Sequence, residues 1–148
     1  MVNASPLLVA QMIATCAMFG VIWLVQLVTY PQFAGIDSVD FPAYHSDYSR
    51  RITWIVGPLM ILELAASAGC VWILWNSPLR WLAVAGLLLV LLIWATTALL
   101  QVPQHEKLSN GKDPEVIAAL VAGNWIRVAL WAARIPVVSL LLFRSPGS

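Results

Sequence analysis

Charge is what this sequence lacks most. Eight Lys and Arg and seven Asp and Glu make up 10% of its 148 residues, where a soluble domain carries about a quarter. The net charge of +1 leaves no electrostatic footprint for a polyanion, so a nucleic-acid partner is excluded. Cysteine is scarce too. Cys16 and Cys70 both fall in apolar runs, which fits small hydrophobes rather than a disulfide framework or a zinc cluster. The start, Met-Val-Asn-Ala-Ser, has no basic residue, and the apolar run behind it is too long for a cleavable signal. There is no HExxH, no CxxC, no Gly-rich phosphate loop, no defensible Ser-His-Asp spacing and no internal repeat.

What is there instead is apolar surface. Hydrophobic residues make up 61% of the chain, eight of them Trp. A domain of this size cannot bury so many, so lipid must cover the remainder. Runs at 6–30, 52–75, 80–102 and 125–143 each suit a helix crossing about 30 Å of hydrocarbon. Asn76-Ser77-Pro78 makes a tight turn between the middle two. The expected fold is therefore all-α: a single membrane domain, 1–148, built as an antiparallel four-helix bundle.

Two longer connections, 31–50 and 103–124, define a loop face. In the first, Asp40 can cap a short helix entering through Pro42. In the second, Asp113-Pro114 starts a helix that Gly123 should stop, with Val116, Ile117, Leu120 and Val121 on one side. That helix is expected to lie on the membrane surface. The loop face carries Arg50, Arg51, Lys107 and Lys112, the other face Arg80 and Arg144. This count puts the loop face in the cytoplasm, and a bacterial inner membrane is the expected location. Trp54, Trp125, Trp72, Trp75 and Trp81 stand near span ends, where indoles anchor at the interface.

Ionisable residues inside a span are expensive and usually face the protein interior. Glu63 lies 12 residues beyond Arg51, and Arg134 lies 10 beyond Asn124. At 1.5 Å per residue these are depths of roughly 18 and 15 Å from the same face, so a buried Glu63–Arg134 pair is expected. Helical phase adds further residues. Arg127, Trp131 and Arg134 share a face with Asn124 at its edge. Trp94, Thr97, Gln101 and His105 share another, and Trp23, Gln26 and Tyr30 a third. His45, Tyr48, Ile52 and Glu63 align if Gly57-Pro58 leaves the phase intact. Four polar-aromatic faces can thus turn inward on one level, forming a positive cavity lined by Trp23, Trp94 and Trp131. Such a cavity suits a flat aromatic or anionic ligand. Gln11, Thr15, Ser67 and Thr96 read as packing glue between helices.

His45 and His105 are the only imidazoles. They can act as a general base near neutral pH. With Asp47 and Glu106 near, they can instead hold a metal, or together ligate a haem. The Glu63–Arg134 pair can equally be structural, in a non-catalytic subunit or small transporter. The cofactor stays open between none, a metal ion and haem. The partners are the bilayer and a lipophilic small molecule, and the apolar outer faces are compatible with a homo-oligomer.

Several short motifs carry a family resemblance: Tyr30-Pro31 with Phe33, Tyr44-His45, Arg51-Ile52, Glu63, Gln101-Val102-Pro103-Gln104-His105 with Leu108, and Asn124-Trp125-Ile126-Arg127 with Trp131 and Arg134. In these the chain resembles the anthrone-oxygenase-like family of small four-helix membrane proteins. The resemblance implies oxygenation of an activated, polycyclic phenol-like carbon with no obvious prosthetic group. On that implication His45 or His105 removes a C–H proton, and Arg127 and Arg134 stabilise the enolate. Glu63 holds Arg134 or relays a proton, and Gln101 and Asn124 position an oxygen atom.

Overall fold

The computed structural model describes residues 5–145, for Ser5 the backbone alone. Residues 1–4, on which the reading of the chain start partly rests, lie outside it, as do 146–148. Four long helices follow one another: α1 (Pro6–Gly35), α2 (Phe41–Ile73), α3 (Arg80–Ser109) and α4 (Pro114–Arg144), each long and apolar enough to cross a membrane. No strand occurs among the described residues. The protein is an all-α four-helix membrane bundle. α1 packs on α2 and α4, and α3 closes the square against the same two helices. Large apolar side chains point outward, among them Trp72 (85% exposed), Phe143 (77%) and Leu99 (74%). In water such a surface would be an aggregation liability, whereas in lipid it costs nothing.

The helices run further than the apolar runs suggest, and the connections shrink to 36–40, 74–79 and 110–113. Pro31 and Pro103 are the reason the spans seemed to end early. A proline lacks the N–H of the helical ladder and its ring crowds the carbonyl four residues back. Each is met by the same device. A wide π turn, Val25–Thr29 in α1 and Thr97–Gln101 in α3, ends two residues before the proline. The extra residue in the turn absorbs the clash and lets the helix continue. In α2 and α4 the helix runs on through Pro58 and Pro136.

Two local expectations are corrected. No separate surface helix exists in the last loop, because Pro114–Arg144 is continuous. Ile117 and Leu120 are buried with Phe33, Phe41 and Leu108, and Val116 and Val121 pack on this cluster. Gly123 does not stop the helix. It marks a close approach, where a Cβ would stand 3.2 Å from Gln101 Nε2. The short helix at Pro42 is likewise the first turn of α2, and Asp40 makes no side-chain cap. Asp113 does cap α4, accepting from Glu115 N (2.9 Å) and Val116 N (3.2 Å). Lys112 ties the two loops together by donating to the Ala34 and Ile36 carbonyls at 2.8 and 2.6 Å.

The interior is layered. One apolar cluster around Leu8, Cys70, Ala83 and Leu141 lies at the turn end. A second around Met18, Met60, Ile93 and Trp131 lies mid-bundle. The Phe33–Phe41 cluster closes the loop end. Most of the buried polar residues fall between these layers, in two groups.

Candidate functional site

The first group is the expected pair. Arg134 Nε lies 3.1 Å from Glu63 Oε1, with both side chains essentially inaccessible. Every helix contributes to it. Arg134 donates to Thr15 Oγ1 (3.0 Å), Ser67 Oγ (2.8 Å) and the Gly86 carbonyl (2.6 Å). Glu63 accepts from Thr15 Oγ1 at 2.6 Å and from the Trp131 indole N–H at 3.0 Å. Ser67 donates onward to Gln11 Oε1 at 2.8 Å. Glu63 and Arg134 sit on α2 and α4, on one diagonal of the square, so the pair crosses the bundle core. Both charges are met by hydrogen bonds on every side, the condition under which a buried pair is tolerated. Thr15, Ser67 and Gln11 are glue of the kind their positions indicate. The Gly86 carbonyl is an addition that a side-chain pattern could not reveal, because any residue carries one.

The second group lies nearer the loop face and crosses the other diagonal. His45 Nε2 and His105 Nδ1 are 2.9 Å apart, and His105 Nε2 is 3.1 Å from the Tyr30 hydroxyl. Tyr30 donates to Gln101 Oε1 at 3.4 Å. At the outer end, the exposed Ser109 places its Oγ 3.4 Å from His45 Nδ1. The result is one hydrogen-bonded chain from the loop face to the interior. The rings are held by packing: His45 stacks on Phe41, and Phe33 meets both His45 and Tyr48 edge-on. The π turns matter here, since Tyr30 follows one directly and Gln101 ends the other.

This chain opens into a cavity of about 260 Å³. Tyr48, Ile52, Val56 and Met60 line it from α2, Trp94, Thr97, Gln101 and His105 from α3, Val21, Val25 and Tyr30 from α1, and Arg127 from α4. A shallower cleft between α2 and α3 shares Ile52, Thr53, Val102 and His105 with it. Among the described residues Arg127 is the only Lys or Arg on the wall. Its Nη1 donates to Asn124 Oδ1 at 3.3 Å, and its guanidinium lies 5.3 Å from the centre of the Trp131 ring. Asn124 donates to Gln26 Oε1 at 2.8 Å, and Gln26 donates to the Val121 carbonyl at 3.2 Å. Among the described residues, three buried N–H groups of the lining find no acceptor: Trp94 Nε1, Gln101 Nε2 and Arg127 Nε.

The expected site residues therefore divide. His105, Tyr48, Trp94, Thr97, Gln101 and Arg127 line the cavity, with His45 directly behind His105. Gln26 and Asn124 stand behind Arg127 as its support. Trp131 is fully buried between the two groups and does not face the cavity. Trp23 is turned to the flank of α1, edge-on to Phe19 and Trp125. Glu63 and Arg134 belong to the deeper group. One level of polar residues was expected, but Arg127 stands two turns from Arg134, roughly 10 Å along the helix. Residues sharing a helical face need not share a site. Tyr30 is central to the chain of hydrogen bonds, and its signals in the sequence were its place on the α1 face beside Gln26 and the Tyr30-Pro31 motif.

Asp47 does not join the imidazoles. It pairs with Arg51 at 2.6 Å and with Arg50, as their spacing on one helix favours. Among the described residues no three His, Cys, Asp or Glu form a group able to hold a metal. The imidazole nitrogens face each other at hydrogen-bond distance, whereas two axial ligands across one iron would stand about 4 Å apart, given metal–nitrogen bonds near 2 Å. The pair fits a proton-passing dyad better than bis-histidine haem.

No family model, curated protein or solved structure matches this chain.

Proposed function

We propose that this chain is an oxygenase-like oxidoreductase of the membrane interior, acting on a lipophilic aromatic or phenolic substrate. This is the activity that its resemblance to the anthrone-oxygenase-like family implies. The observation that carries the reading is the Ser109–His45–His105–Tyr30 chain, which runs from the exposed loop face to a largely apolar cavity between the helices. An engineered apolar cavity of about 150 Å³ takes one benzene ring, so about 260 Å³ has room for more than one.

The substrate class is a ring system with an activated CH₂ beside an oxygen-bearing carbon. His105 is the base through Tyr30: the hydroxyl at the cavity end of the chain takes a proton from that carbon as its own passes to His105 Nε2, and the charge moves onto the oxygen as an enolate. His105 passes a proton to His45, so the positive charge is shared away from the cavity. The carbanion reacts with O₂, which is the oxidant, and a C–O bond forms. The proton returns from the imidazole chain to give a hydroperoxide, which loses water and leaves a carbonyl. The balance is CH₂ + O₂ → C=O + H₂O. Glu63 and Arg134 take no step. Their closed hydrogen-bond network favours a structural role, holding the four helices in register. A helical bundle of this kind suits a bacterial inner membrane, since the outer membrane is spanned by barrels.

The test is oxygen uptake by the purified protein in lipid nanodiscs with anthrone as probe, using ¹⁸O₂ to trace the new carbonyl. The expected result is anthrone-dependent uptake above the uncatalysed rate, lost in His105→Gln. Uptake equal in wild type and His105→Gln overturns the reading.

A further inference from the structure

Arg127 is a buried cation that the protein itself does not neutralise. It is 6% exposed. Arg134 has Glu63, but among the described residues no carboxylate pairs with Arg127. An arginine stays protonated, and an unpaired charge away from water is severely penalised. The Trp131 face, Asn124 and the Tyr30 hydroxyl relieve part of this, but none of them carries a negative charge.

The same wall holds the unmet donors. Gln101, 2% exposed, turns Oε1 to Tyr30 and leaves Nε2 without an acceptor. Trp94 Nε1 and Arg127 Nε are also unpartnered, and all three side chains line the one cavity. Buried N–H groups are almost always paired, so a group of them in one cavity marks a missing acceptor. Gly123 adds to the case. Its lack of a side chain leaves room for Gln101 Nε2, which a Cβ would press at 3.2 Å.

From this geometry we infer that Arg127, Gln101 and Trp94 form an oxyanion subsite, and that the ligand binds through an ionised oxygen on an aromatic ring. The subsite has positive charge and donors to offer, so it favours a phenolate over a neutral phenol or a hydrocarbon. The apolar lining with Tyr48 and Trp94 favours an aromatic body. The aromatic part rests on the reading of the preceding subsection, whereas the oxyanion part stands on the unmet donors alone. Arg134 is excluded from this role because all its nitrogens are engaged with Glu63, Thr15, Ser67 and Gly86.

The experiment uses 2-naphthol, naphthalene and decanoate as probes of the full chain in nanodiscs at pH 7, without turnover. Bound 2-naphthol is expected to show the red-shifted absorption of its anion, although free 2-naphthol is protonated at that pH. It is expected to bind about tenfold or more tighter than naphthalene, the scale of a charge-assisted hydrogen bond. In Gln101→Glu, which keeps the side-chain shape, 2-naphthol should fall to the level of naphthalene, with naphthalene unchanged. Arg127→Lys should retain the anion's spectrum and Arg127→Gln should lose it. Naphthol bound with the spectrum of the neutral phenol, or no tighter than naphthalene, overturns the subsite and leaves water as the acceptor. Decanoate competing as strongly as 2-naphthol overturns the aromatic assignment and makes this a fatty-carboxylate site. Binding is read without oxygen chemistry, so naphtholate binding with no anthrone oxidation would refute the oxygenase reading and leave the subsite standing.

Discussion

His45 and His105, 60 residues apart in sequence, meet nitrogen to nitrogen at 2.9 Å. Each imidazole then has one nitrogen left. His45 turns Nδ1 to Ser109 and His105 turns Nε2 to Tyr30. Two neutral imidazoles in series can be polarised in either direction, with every donor facing an acceptor in both. Moving one proton in at one end and out at the other converts one state into the other. This property makes the pair more than two polar residues satisfying each other.

The two histidines are consequently unequal in effect. His105→Gln removes the group on the cavity wall, and anthrone turnover should fall about 10²- to 10⁴-fold, the usual contribution of a general base. His45→Gln leaves that base in place but breaks the path to the loop face. Its loss should be smaller and should appear in kcat rather than KM. A profile of kcat against pH for the two variants, beside wild type, separates these roles. Equal losses in both would mean that His45 acts as directly as His105.

Removing one partner of the deep pair should damage the fold. Glu63→Leu leaves Arg134 charged and buried, a loss of about 3–5 kcal/mol for a broken buried pair. Glu63→Leu with Arg134→Leu should recover most of it, because an apolar pair needs no partners in this setting. Thermal unfolding in one detergent gives the comparison. If the double variant is folded and keeps its turnover, the pair is structural. If it folds and turnover is abolished, Glu63 and Arg134 belong in the chemistry after all.

Trp131 links the two groups, donating to Glu63 Oε2 at 3.0 Å on one side and carrying the Arg127 guanidinium over its ring on the other. Trp131→Phe keeps the ring and deletes the N–H. It should destabilise by about 1–3 kcal/mol, the range for a buried acceptor left unmet, while 2-naphthol binding changes little. A larger change in binding than in melting temperature would show that Trp131 shapes the cavity directly.

The metal and haem alternatives make their own prediction. If the imidazoles are a hydrogen-bonded dyad, His45→Ala and His105→Ala should leave the metal content of the purified protein unaltered. Titrated haemin should likewise give no Soret shift that depends on both histidines. Metal analysis and a visible spectrum check this, and a bound metal lost in both variants would restore the metal reading.

The length and scarcity of charge of the apolar runs were enough to establish four membrane helices, because lipid imposes this on any chain that crosses it. The Glu63–Arg134 pair was legible for a related reason. Helical rise converts residue number into depth, and two opposite charges at one depth have few other ways to be tolerated. Phase arithmetic also brought Trp94, Thr97, Gln101 and His105 to one wall. What it could not supply was the division into two sites, since a shared face says nothing about which partner stands across from each residue. Only packing sent Arg134 to Glu63 and left Arg127 unpaired beside the cavity. It was packing too that turned Trp23 aside onto Trp125, pressed α4 against α3 at Gly123 and ran the helices past Pro31 and Pro103 through π turns. These outcomes depend on contacts between residues dozens of positions apart, and a periodic pattern within one helix carries no record of them.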